Sequence, residues 1–180
     1  MKLFKLFLSF FLVTGAIMGV SLFFPNTYRI DRSVTIHKPV SDVFAYMSNL
    51  RNWEQWSMWN KDIDSTLNIF YRDRSDSLGG VQYFSGDRIG TGRFKIVEYE
   101  NEQRLGYNLY MNKGDVSANG TFTFNAVDTT TTELHWIDSG YVGYNPFFRF
   151  MLPNKIKSTS EAFDAGLSRI QKMMEASNAR

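Results

Sequence analysis

The sequence predicts an α+β protein in which a seven-stranded antiparallel sheet wraps around a long C-terminal helix, with an N-terminal transmembrane helix in front. Three observations lead there. Between Tyr28 and Gly140, short runs of alternating apolar and polar residues follow one another between turn residues, the mark of hairpin-linked strands. From Ser158 to about Ser177, Phe163, Leu167, Ile170 and Met174 recur at spacings of four, three and four, one apolar stripe along a helix. Ahead of both, Leu6 to Phe24 form 19 consecutive uncharged positions.

As a helix that N-terminal run is about 28 Å long, close to the roughly 30 Å of a bilayer core. Lys2 and Lys5 precede it, which places its N-terminal end on the cytoplasmic side. A secretory signal has a shorter apolar core and a small-x-small cleavage site, for which Thr14 to Ala16 and Gly19 to Ser21 are poor matches. The expectation is an uncleaved single-pass anchor with linker over residues 1–26 and a domain over 27–180, outside the cytoplasm in a periplasmic or extracellular space; a cleaved signal peptide is the alternative. Gly15 and Gly19 form a Gly-x-x-x-Gly pair that could hold two such helices in a weak dimer.

Composition excludes several classes. The net charge of +2 rests on Lys2 and Lys5, since the remaining 18 basic residues are balanced by 18 acidic ones. These are interspersed, as in Lys61, Asp62, Asp64 and Arg72, Asp73, Arg74, Asp76, so no basic face for nucleic acid emerges. The chain has no cysteine, which removes disulfides, thiolate nucleophiles, zinc-thiolate sites and a lipoprotein attachment point. Its two histidines, His37 and His135, argue against a histidine-based metal site, and no cofactor is expected. The 16 Phe, 9 Tyr and 4 Trp suit a protein that lines a pocket as well as filling a core.

The elements follow in order. After Pro25 and Asn26, Ile30, Arg32, Val34 and Ile36 alternate with polar residues as a strand, with Arg32 the exception on its face. Pro39 opens a helix whose Val40, Val43, Phe44 and Met47 share one side. Three tryptophans, Trp53, Trp56 and Trp59, come next at a spacing of three, suited to closing one end of a sheet or lining a pocket mouth. Strands are then expected around Leu67 to Tyr71, after the break Asp73 to Gly80 around Val81 to Ser85, and around Phe94 and Ile96, with Gly86, Gly90 and Gly92 bracketing a turn. Asn101-Glu102 turns into Leu105, Tyr107 and Leu109, and Asn112 to Gly114 turn again. Gly120, Phe122, Phe124 and Ala126 alternate as a half-buried strand, and Leu134 and Trp136 close the series. The Phe-rich segment Tyr141 to Pro153 reads as a flap over the sheet, or a membrane-surface contact beside the anchor. Inside the last helix, Gly166 costs about 1 kcal/mol against alanine, which asks for close packing or for space left to a ligand.

This order resembles the helix-grip fold of the START and Bet v 1-like (SRPBCC) superfamily, especially its polyketide cyclase and dehydrase-like bacterial branch. The resemblance covers about Tyr28 to Ala176. It is carried by Ile36-His37-Lys38-Pro39-Val40 with Val43-Phe44, Trp53 with Trp56-Ser57-Met58-Trp59, Gly90 and Gly92, Thr132 to Trp136, Asn145-Pro146 with Arg149, and Phe163-Asp164-Ala165-Gly166-Leu167. It implies an apolar ligand, lipid, sterol-like or polyketide-like, held between sheet and terminal helix. The side chains then expected around it are Trp53, Trp56, Trp59, Tyr71, Tyr83, Phe94, Tyr107, Phe122, Trp136, Asp138, Phe163, Gly166 and Leu167. The anchor lies outside the family pattern, and Asp138 departs from it, standing where related sequences tend to be apolar.

An enzyme of the cyclase type needs an acid and a base facing the cavity. By strand parity the candidates are Arg32, Tyr71, Glu98, Tyr107 and Asp138, no two of them close in sequence. Three readings stay open: a ligand carrier or sensor, an interaction module without ligand, and an enzyme on a polyketide-like substrate.

Overall fold

The computed structural model of the chain describes residues 2–21, 23–72, 74–111, 115–143 and 145–176. The expected turn Asn112 to Gly114 lies outside them, as do Leu22, Asp73, Tyr144 and Ser177 at points of the expected elements. Helix α1 (Lys2–Ser21) precedes β1 (Thr27–Ile36), α2 (Val40–Ser48), a 3-10 turn (Leu50–Asn52) and α3 (Trp53–Trp56). Six strands follow: β2 (Asn68–Arg72), β3 (Val81–Gly86), β4 (Gly90–Glu100), β5 (Arg104–Met111), β6 (Asp115–Asp128) and β7 (Thr131–Tyr141). Helix α4 (Pro146–Ala176) comes last.

All seven strands form one antiparallel sheet in the order β1-β7-β6-β5-β4-β3-β2. One face of it carries Ile30, Ile36, Phe94, Ile96, Leu105, Phe122, Phe124, Leu134 and Trp136 into a single core with α2, α3 and α4. The stripe Phe163, Leu167, Ile170 and Met174 is buried in that core, as the four-three-four spacing requires.

Helix α4 begins twelve residues earlier than the sequence pattern suggests, because the segment expected as a flap is its first two turns. The reason is local. The Asn145 side chain accepts a hydrogen bond from the Phe147 amide (3.0 Å), Pro146 occupies the first helical position, and the Arg149 amide bonds back to the Asn145 carbonyl (3.1 Å). Pro153, read as a boundary, sits inside the helix. It forfeits one backbone hydrogen bond, and the burial of Leu152 beside it holds the helix through the defect.

Along β1 the helix is fastened at four places. Arg149 Nε donates to the Phe24 carbonyl (3.0 Å), Arg32 pairs with Asp164 (2.8 Å), Gln171 donates to the Thr35 carbonyl (2.9 Å), and the His37 amide donates to Glu175 (3.0 Å). Arg32, the odd residue on its face, is thus part of this fastening.

Gly166 resolves toward close packing. A β-carbon there would stand 3.3 Å from the Trp56 carbonyl oxygen and 3.5 Å from its ring, so the missing side chain is what lets α4 settle on α3. Gly166→Leu should therefore lower stability by about 1 to 3 kcal/mol through overpacking, with or without an apolar probe present. Thermal melting of the full-length protein checks this, and an unchanged melting temperature would show that the site yields.

Candidate functional site

The aromatic side chains do not fill the whole space under α4. Trp53, Trp56, Phe94, Tyr107, Phe122 and Trp136 meet edge to face or tilted at 5.0–6.1 Å between ring centres and plug the middle of the sheet. Beyond the plug, smaller side chains leave a cavity of about 510 Å³. Its walls are Tyr28 and Ile30 from β1, Leu109, Met111 and Ala118 from β5 and β6, Asp138 from β7, Leu152, Ile156, Thr159 and Phe163 from α4, and Met58, Trp59 and Ile63 from the loop after α3. Arg88, Ile89, Val142 and Lys155 complete it. That volume, with an apolar lining and few polar groups, is typical of small-molecule sites.

One polar group dominates the wall. Asp138 is only 4% exposed, and each of its oxygens accepts a tyrosine hydroxyl: Oδ1 from Tyr28 (2.9 Å) and Oδ2 from Tyr107 (2.7 Å). Trp136 Nε1 in turn donates to the Tyr107 hydroxyl (3.1 Å). Burial raises the Asp138 pKa to about 6, and the two hydroxyls hold it from rising further. The same burial, together with the carboxylate's charge, raises both phenols, so they remain neutral donors.

Two glycines make this triad possible. Tyr107, Gly120 and Asp138 lie in one row across β5, β6 and β7. Because Gly120 has no side chain, the Tyr107 ring lies over it and reaches the carboxylate; a β-carbon at Gly120 would fall on that ring. Gly140 does the same for Tyr28, its partner in the β1–β7 ladder.

A second buried carboxylate builds the rim. Asp64 accepts from the Thr66 hydroxyl (2.6 Å), the Thr66 amide (3.0 Å), and the amides of Arg88 (2.8 Å) and Ile89 (2.9 Å). These bonds tie the loop bearing Ile63 to the β3–β4 turn and hold the Asp64 pKa down at about 2.

Of the side chains expected at the site, the structure places Trp59, Asp138 and Phe163 on the cavity wall. Phe163 also stacks on Trp136 at 3.6 Å, joining wall to plug. Trp53, Trp56, Phe94, Tyr107, Phe122, Trp136 and Leu167 are packed behind it in the core rather than lining it, because their rings satisfy one another. Gly166 faces Trp56, Tyr71 lies under the Arg51 guanidinium (4.5 Å), and Tyr83 stacks on Phe70 on the outer face (5.0 Å). Among the acid–base candidates, Tyr107 and Asp138 come together, whereas Arg32 pairs with Asp164 and Glu98 with Arg104 (3.4 Å). Sequence reasoning missed Tyr28, although it shares the parity of Ile30. It missed Leu152, Ile156 and Thr159, which continue the helical stripe backwards across Pro153. Among the described residues no three of His, Asp and Glu gather as metal ligands.

An antiparallel sheet closed by one long helix over an internal cavity defines a helix-grip domain. The chain belongs to the polyketide cyclase / dehydrase and lipid transport family, whose model matches residues 27–175. The fold is shared with a protein from Mesorhizobium loti at 14% identity (TM-score 0.61, 83% of this chain and 98% of that one). It is shared too with the Aha1 dimer from Colwellia psychrerythraea at 12% identity (TM-score 0.59, 82% and 96%). The di-domain ARO/CYC BexL from the BE-7585A biosynthetic pathway also aligns at 12% identity (TM-score 0.58, 82% of this chain and 46% of that one). No curated protein matches the sequence.

The Asp138 triad makes stability depend on pH with a definite sign. A carboxyl whose pKa is raised by folding adds stability that is present below about pH 4 and lost as pH rises through about 6. Asp138→Asn cannot titrate, so between pH 4 and 7 its stability relative to wild type should rise by up to about 3 kcal/mol. Denaturant titrations at a series of pH values read the difference directly, and a pH-independent gap would remove the buried ionisation. Gly120→Ala, by pushing Tyr107 off the carboxylate, should move the midpoint of that dependence above about 6.

Proposed function

We propose that this protein is a membrane-anchored binding or carrier protein for an apolar small molecule with one hydrogen-bond-donating group. The single observation that carries the reading is the cavity itself: an apolar space of about 510 Å³ with one buried carboxylate on its wall. Lipid-like, sterol-like and polyketide-like molecules suit the apolar lining, and the family description supports that class. A carboxylate has about four lone-pair positions, and the two tyrosines use only two. The remaining ones favour a ligand hydroxyl or amine over a ligand carboxylate, which would bring a second negative charge against Asp138.

Helix α1 supports the anchor. The segment Leu3–Val20 is long and apolar enough to cross a membrane, and its side chains are exposed rather than buried in the core. Thr14, a hydroxyl within it, is satisfied by its own helix through the Phe10 carbonyl (2.8 Å). The domain then lies outside the cytoplasm, at the end opposite Lys2.

A second reading is favoured by one specific feature. A carboxyl with a pKa of about 6 between two neutral phenols on a cavity wall is suited to proton transfer near neutral pH, which a cyclase or dehydrase step requires.

Full-length protein, extracted from its host membranes and sprayed from detergent, should carry a co-purifying apolar molecule in native mass spectrometry, and Asp138→Asn should carry less of it. An empty protein would overturn the carrier reading. Turnover of the bound molecule on incubation would favour the enzyme. Recovery of a soluble form lacking its first 16 to 21 residues would replace the anchor by a cleaved signal.

A further inference from the structure

The strand registers place the whole cavity at one end of the sheet. Thr27, where the chain arrives from α1, pairs with Tyr141; Gly140 pairs with Ala118, Ala118 with Leu109, and Met111 with Gly92 near the β3–β4 turn. Leu109, Met111 and Ala118 of these pairs, Tyr28 and Asp138 beside them, and α4 between Leu152 and Phe163 line the cavity. The opposite end, at the β6–β7 hairpin, is a ten-residue strand away, about 33 Å.

That same end is unusually greasy outside. Phe147, Phe148 and Phe150 are 66%, 51% and 58% exposed, and Phe23 is 90% exposed. They are tied to the exit of α1: Phe150 meets Phe24 edge-on at 5.7 Å, and Arg149 between them holds the Phe24 carbonyl. Phe24 is only four residues past Val20, the end of the apolar span, and the Phe23 amide donates back to the Val20 carbonyl (3.1 Å), so the chain turns there and rises about 6 Å at a helical 1.5 Å per residue. The headgroup layer extends roughly 5 to 8 Å beyond each face of the hydrocarbon. The aromatic apron therefore stands at the height of the headgroups, where amphipathic and aromatic surfaces partition. Arg88 and Lys155, both exposed, stand on the cavity rim.

We propose that the anchor end of the domain is a lipid-docking surface: Phe147, Phe148 and Phe150 lie in the bilayer interface, and the cavity mouth opens onto the lipid. A ligand would then pass between bilayer and cavity without crossing bulk water. This rests on the anchor reading above.

The chain has no cysteine, so single cysteines can be labelled cleanly. Full-length Phe148→Cys, Ile63→Cys at the cavity rim and Val127→Cys at the far hairpin would each carry an environment-sensitive fluorophore. Each would be reconstituted into vesicles of phosphatidylcholine and phosphatidylglycerol. The labels at 148 and 63 should shift to the blue and be quenched by spin-labelled lipid, while the label at 127 stays aqueous and open to a soluble quencher. A membrane-bound protein whose label at 148 or 63 is aqueous overturns the docking surface and leaves the anchor standing. A label at 148 shielded from both quenchers marks a protein contact, a second copy included, and also overturns it. Protein that fails to enter vesicles at all removes the anchor reading and this inference with it.

Discussion

The fold depends on laying α4 along the edge strand β1. From Phe24 to His37 is 13 residues of extended chain and from Arg149 to Glu175 is 26 residues of helix. At about 3.3 Å and 1.5 Å per residue both come to about 40 Å. Strand and helix therefore run parallel in step, and four polar fastenings between them can all be made at once. Individually these are modest, the Arg32–Asp164 pair being half exposed and worth less than about 1 kcal/mol. Their consequence is positional, since they fix where every residue of the helix stripe meets the sheet.

Given that placement, the cavity follows from side-chain size. Where α4 crosses α3, Gly166 brings the helices together and the tryptophans fill what remains. Two to four turns nearer its N-terminus, the helix presents Thr159, Ile156 and Leu152 opposite Ala118, Ile30 and Ile89, and these do not span the gap. A tightly closed half and an open half of one core arise from the same helix. The rim stays shaped because Asp64 gathers the loop after α3 and the β3–β4 turn onto one carboxylate.

Much of the fold was legible in the residues. Period-two runs located the seven strands, and the four-three-four stripe located the buried half of α4. The other half was hidden because Pro153 reads as a stop, while the Asn145-Pro146 start ahead of it was counted only as a family motif. The site was less legible, for a physical reason. Strand parity shows that Phe94, Phe122 and Trp136 point inward, but an inward aromatic can fill a core or line a cavity, and only the packing against its neighbours decides. Asp138 could be singled out as a charge on an inward parity. Its partnership with Tyr28 and Tyr107 could not, since these lie 110 and 31 residues away.

That partnership also explains why a carboxylate is tolerated where an apolar residue would serve the core better. Burial alone pushes the Asp138 pKa up, and the two donated hydroxyls pull it back to about 6. The hydroxyls reach it only because Gly120 and Gly140 leave the sheet bare beneath the tyrosine rings, and bare glycine inside a strand is itself a cost. Two strand positions are thus left without side chains so that two tyrosine hydroxyls can hold one carboxylate at the edge of an otherwise apolar space. Core stability supplies no reason for that arrangement. The ligand with a polar end proposed above would supply one, its apolar remainder lying along Phe163, Ile156 and Leu152.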